Sequence, residues 1–154
     1  MMKTVDSKKN KLSLQEIMIR SVYDQKDSLT MPVEQALLML IEELQMQGSE
    51  AIQFGNTVFI SHYSQESPTC FMYALNVDTA KNYMHNGELY TRYLMKKGMN
   101  GFMTSYTNES FGIPFKQIER NNLGTVHSWK QGKRFVTAVM FNKQRSKKQE
   151  EQNA

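Results

Sequence analysis

Cysteine is almost missing from this 154-residue chain: Cys70 stands alone. A single thiol excludes an internal disulfide and suits a reducing compartment, so a cytoplasmic setting is expected. Long apolar runs are missing too. The longest, Ala36–Ile41, meets acids at once and falls far short of the roughly 18 residues of a membrane span. The N-terminus has lysines but no apolar segment behind them, so no secretory signal is expected. There is no internal repeat and no interdomain linker. Metal chemistry lacks its usual spacing: His62, His85 and His127 fall in three separate segments, with no His-x-x-x-His or Cys-x-x-Cys among them.

What is present fits one folded domain. Hydrophobic residues make up 40% of the chain and charged residues 22%, which is globular, and the length allows a real core. The net charge of +4 belongs to the ends. Lys3, Lys8, Lys9 and Lys11 against Asp6 put residues 1–12 at +3. Lys143, Arg145, Lys147 and Lys148 against Glu150 and Glu151 put 143–154 at +2, which leaves −1 for the rest. Residues 1–12 therefore read as a flexible basic start that can hold a short strand at Met2–Val5. Residues 13–142 read as the domain, and 143–154 as a flexible polar tail. Basic ends of this kind can touch nucleic acid weakly, or simply aid solubility. The twelve methionines serve either as core filler or on an adaptable binding surface.

Periodicity gives the elements. Ser13-Leu-Gln-Glu16 is a capping box ahead of a helix whose apolar face would hold Ile17, Ile19, Val22 and Tyr23. A second helix starts near Pro32, carries Val33, Ala36, Leu37, Leu40, Ile41 and Leu44 at helical spacing, and stops at Gly48. Two strands follow around the Gly55-Asn56 turn, then a loop at Gln65–Pro68, then an apolar central strand, 69–77. Cys70 would sit in that strand as a small apolar residue. Asp78 or Thr79 can cap a long helix, 80–97, with Tyr83, Leu89, Tyr90, Tyr93 and Leu94 on its buried side. A strand from Gly101, a helix ending near Asn121 and a hairpin turned at Gln131-Gly132 complete the order β-α-α-β-β-β-α-β-α-β-β. This predicts an α/β (α+β) fold, a mixed central sheet with helices on both faces.

That order resembles the GNAT acyltransferase (Gcn5-related N-acetyltransferase) fold over nearly the whole chain. The likeness is clearest where Ile118-Glu-Arg-Asn-Asn-Leu-Gly124 runs into Thr-Val-His-Ser-Trp and Lys-Arg-Phe-Val-Thr-Ala-Val, as at the family's helix-to-hairpin corner. The resemblance implies acetyl-CoA held by its pyrophosphate at a helix N-terminus, through Arg/Gln-x-x-Gly-x-Gly/Ala. The matching stretch, Asp78–Glu88, lacks that motif: only Gly87 could correspond, and only Lys81 offsets the acids. The family's proton-donating tyrosine would fall at Arg120, a poor acid. Thr125 replaces the phenylalanine after the corner glycine. The chain is thus similar to cofactor-free GNAT-like proteins known among bacteriophage virion and accessory proteins. The expected function is non-catalytic action through a protein partner, without a cofactor, in the cytoplasm or a virion. Open strand edges permit a homo-oligomer.

The alternative is an acetyl-CoA-dependent N-acetyltransferase with an atypical coenzyme loop. Its candidate base is Glu109 and its candidate acid Tyr106, both just after the strand that begins at Gly101. Lys81 and Gly87 are its candidate cofactor contacts. Other pairings are open: His62 with Ser64 or with Cys70 as nucleophile and base, and Trp129 as either a partner anchor or a cross-strand packing residue. The alternative role of Glu109 is to cap the next helix through Ser110.

Overall fold

The computed structural model describes residues 2–4 and 11–142. The expected flexible segments lie mostly outside these residues, including the whole 143–154 tail and with it the basic C-terminal contact surface. The elements follow the predicted order: β1 (Met2–Thr4), α1 (Leu14–Asp24), α2 (Val33–Gln45), β2 (Ser49–Phe54), β3 (Thr57–Ser64) and β4 (Ser67–Asn76). Then come α3 (Ala80–Lys97), β5 (Gly101–Tyr106), α4 (Ile113–Arg120), β6 (Gly124–Gln131) and β7 (Arg134–Phe141). Seven strands form one mixed sheet in the order β1-β2-β3-β4-β5-β7-β6. The parallel neighbours are β1 with β2 and β4 with β5; the others are antiparallel.

Strand alternation sorts the core into two layers. Ile52, Phe59, Cys70, Met72, Phe102 and Val139 point to one face, where Tyr83, Tyr90 and Leu94 of α3 and Phe115 and Ile118 of α4 meet them. Tyr90 stacks on Phe59 at 4.4 Å between ring centroids, and Phe102 lies edge-on to Tyr90. Ala51, Val58, Ile60 and Leu75 point to the other face, under Leu14, Ile17 and Met18 of α1, with Leu37, Leu40 and Leu44 of α2 packed at the margin. Burying one such aliphatic side chain is worth roughly 1.5–3 kcal/mol.

Local chemistry places the ends. Ser13 caps α1 by accepting from the Glu16 amide at 3.2 Å; the Glu16 carboxylate closes the box on the Ser13 hydroxyl and not on its amide. Thr79, not Asp78, caps α3 by accepting from the Asn82 amide. Gly98, at φ +93°, closes α3 behind Lys96 and Lys97. Gly55, at φ +57°, supplies the left-handed turn residue of the β2–β3 hairpin. Gly101 is needed for another reason: a Cβ there would collide with the Val139 carbonyl of β7.

Several expectations change. Gln65–Pro68 is not a loop: Gln65-Glu66 is a two-residue turn and β4 already starts at Ser67, where proline is tolerated as an early strand residue. The α1 face is Leu14, Ile17, Met18, Ser21 and Val22, whereas Ile19 and Tyr23 are about half exposed. Ile17 fixes the phase, and positions 19 and 23 fall on the far side of a 3.6-residue helix. α2 ends at Gln45, before Gly48, and has no fully buried residue; Ile41 is exposed.

Candidate functional site: an opening between two parallel strands

β4 and β5 pair for only three residues, Thr69–Phe71 with Gly101–Met103. Beyond this they part. β4 stays paired with β3 as far as Asn76, and β5 stays with β7 as far as Tyr106. The sheet therefore opens at the carboxyl ends of two parallel strands, the place where open α/β sheets receive ligands. The result is a cleft of about 240 Å³. Tyr83, Phe111 and Phe115 line it on the α3–α4 side, Thr104 and Tyr106 on the β5 side, and Gln25 and Arg134 on the opposite side. The β4 edge from Met72 to Leu75 has no strand partner there, so its main chain faces the cleft.

Tyr106, the last residue of β5, lines this opening. Its hydroxyl shares a hydrogen bond with Thr137 Oγ1 at 2.8 Å, and its ring stacks on Phe135. Gly112 lies so close that a Cβ would strike the hydroxyl. Arg134 borders the mouth, donating from Nε to Ser105 Oγ at 2.8 Å and from Nη2 to the Ser105 carbonyl at 3.1 Å. Glu109 is exposed on the 3-10 turn Glu109–Gly112 and does not line the cleft, so the candidate acid and base are not brought together there. The cap at this turn is Asn108, which accepts from the Ser110 amide, and not Glu109.

The start of α3 is occupied by its own side chains. Thr79 takes the Asn82 amide, and Asp78 accepts from the Asn56 amide and from Asn86 Nδ2, each at 2.8 Å. A fixed carboxylate at a helix N-terminus competes with a phosphate for the same positive end. Lys81 is exposed in the first turn; Gly87 lies two turns further on and packs closely against Pro114 of α4. Arg120 is exposed at the end of α4, on the β6 side, and does not line the cleft.

The histidine pairing differs from either sequence alternative. His62 meets Ser49, not Ser64 or Cys70, with Ser49 Oγ 2.9 Å from Nδ1. The two residues lie directly opposite across the β2–β3 hairpin, a register the Gly55-Asn56 turn already implies. Glu43 of α2 approaches Nε2 at 3.7 Å, an ion-pair distance too long for the carboxylate–imidazole hydrogen bond of a catalytic triad. Cys70 is buried beneath Tyr90, and burial pushes its thiol up to about 11, which leaves it protonated and unreactive at neutral pH. A polar cluster at the far end of α3 also escaped the sequence: buried Glu50 accepts from Tyr63 Oη at 2.8 Å, Tyr93 Oη at 3.0 Å and Lys97 Nζ at 3.4 Å. Burial and the Glu50 contact push Tyr93 up to about 12. Among the described residues no group of three or more His, Cys, Asp or Glu could hold a metal ion, and no helix is long and apolar enough to cross a membrane.

Comparison with protein-family models, with curated proteins and with solved structures yields no match.

Proposed function

We propose that this chain is a GNAT-like protein that acts by binding a protein partner and does not transfer an acyl group. One observation carries the reading. α1 and α2 pack over β2, β3 and β4, and the core beneath them contains no residue of β5, β6 or β7. On that same face Phe71, Met103, Met140 and Trp129 come from four successive strands, β4, β5, β7 and β6, and each is 36–45% exposed. Isolated exposed apolar residues need no explanation, whereas a band across four strands supports a role in contact with a partner. Methionine, tryptophan and phenylalanine are the types enriched at interfaces, and tryptophan is a frequent anchor. The GNAT-like part of the reading is supported by the element order and by the opening beside Tyr106. The non-catalytic part is supported by the separation of Glu109 from the cleft and by the self-capped start of α3.

A photo-crosslinking residue in place of Met103 tests it in cells that make the chain. The expected result is a discrete protein adduct that disappears when Trp129→Ser and Met140→Ser are added. Acetyl transfer from acetyl-CoA to an amine by the purified chain would overturn the reading.

A second reading is supported by the cleft itself: an acetyl-CoA-dependent N-acyltransferase with an atypical coenzyme loop. An extended amide-bearing arm could add to the unpaired β4 edge as a strand would. Under this reading millimolar acetyl-CoA raises the melting temperature in a saturable way. An unchanged melting curve rejects it.

A further inference from the structure

A second concavity lies between α1 and α2, away from the bare sheet face. It has a volume of about 220 Å³ and is walled mainly by apolar side chains, among them Met31, Ala36, Met39 and Leu40. For scale, a cavity of about 150 Å³ takes up benzene. Two buried side-chain polar atoms of the lining residues have no hydrogen-bond partner among the described residues. Ser21 is 1% exposed, yet its Oγ is unpaired. Glu43 Oε2 is likewise shielded from solvent and without a hydrogen bond, facing only the His62 Nε2 ion pair at 3.7 Å. Buried polar atoms are nearly always hydrogen-bonded, so an unbonded serine and a loosely ion-paired carboxylate in one groove call for an explanation.

Their chemistry narrows the occupant. A carboxylate oxygen can only accept, and a serine oxygen accepts readily, so both suit a group that donates more than once. Glu43 is the only charged residue in the lining, so the complementary charge is positive. A primary ammonium has three donors and one positive charge. The remaining wall asks for an apolar body. We propose that the α1–α2 groove is a binding site for a small alkylammonium, its nitrogen donating to Glu43 and Ser21 and its chain lying among Met31, Met39 and Leu40. Burial raises the Glu43 carboxyl above its ordinary range, with His62 offsetting part of the rise; a bound ammonium would add to that offset. The site is independent of the protein-binding reading, because it uses neither the bare face nor the β4–β5 cleft chemistry.

The test is a titration of the full chain with n-hexylamine at neutral pH, followed by the methyl signals of labelled methionines, with 1-hexanol and hexanoate as controls. Saturable shifts of the Met31 and Met39 methyls are expected with the amine. Binding of the alcohol should be at least about tenfold weaker, the size of a lost charged hydrogen bond, and hexanoate should not bind. Glu43→Gln should remove the preference for amine over alcohol while alcohol binding stays the same. Ala36→Leu, which fills the groove, should abolish both. Equal affinity for amine and alcohol overturns the assignment, as does unchanged amine binding in Glu43→Gln, or the absence of any saturable shift in the Met31 and Met39 methyls.

Discussion

The two halves of the sheet obey the same alternation but have different neighbours. Over β2, β3 and β4 both faces are covered, by α3 on one side and by α1 and α2 on the other. Over β5, β7 and β6 one face meets α3 and α4, while the other carries Phe71 from the bordering β4 edge together with Met103, Met140 and Trp129, all substantially exposed. Neighbouring residues on one strand therefore have opposite fates. Phe102 is 1% exposed and Met103 is 36% exposed; Cys70 is 1% exposed and Phe71 is 44%. Hydrophobicity sets which residues seek cover, but the number of helices decides which of them get it.

Substitutions at these neighbours are the sharpest way to break the comparison. Phe102 packs against Tyr90, Phe115 and Phe141, so Phe102→Ala should cost about 3–5 kcal/mol in urea unfolding. Met103→Ala, one residue on, should cost at most about 1 kcal/mol. Comparable losses at both positions would mean that the bare face is covered in solution.

The same border can be read by pH. The Cys70 thiol is raised by burial from an ordinary 9.0 to about 11 in the folded chain. The unfolded chain therefore loses this proton first. The contribution to stability is complete below pH 9 and is lost as pH rises to 11. Its size is on the order of 3 kcal/mol. Stability measured across that window should fall less steeply in Cys70→Ala than in the parent chain. Equal slopes would show that the tyrosines alone carry the loss. A reactivity comparison sharpens it further: at pH 8 native Cys70 should resist a thiol reagent, whereas Phe71→Cys in a Cys70→Ala background should react rapidly.

Smaller effects lie at the surface. Ser13→Ala should cost about 1 kcal/mol, through loss of the cap on the Glu16 amide, and should act on the α1–α2 half alone. Trp129→Ser and Met140→Ser should each change stability by no more than about 0.5 kcal/mol, and should reduce self-adhesion or partner binding instead. A large stability loss at Trp129 would favour the cross-strand packing role over the anchor role.

Much of the fold was legible, because short-range physics writes it. The Ser13–Glu16 box, the Gly55-Asn56 turn, the Thr79 cap and the Gly98 stop each act within a few residues, and the helices and strands appear between them. Errors came where a tertiary neighbour decided. Ile19 and Tyr23 are apolar and close in sequence to Ile17, but α1 has only one face against the sheet. The site was half legible. Tyr106 falls at the opening because β5 ends there, but that its hydroxyl is bound to Thr137 depends on β7. Glu109 follows Tyr106 closely, and yet the 3-10 turn puts it outside the cleft.

By itself the sequence determined the order of elements, several of their caps and turns, and the absence of metal and disulfide spacing. All of these depend on composition or on contacts a few residues long. Only the tertiary structure decided where β4 and β5 part and which half of the sheet stays bare. It also decided that Ser21 of α1 and Glu43 of α2 line one groove. Those features join residues from elements far apart in the chain. Their position depends on how helices of limited number and length distribute themselves over two faces of one sheet, and no local pattern encodes that distribution.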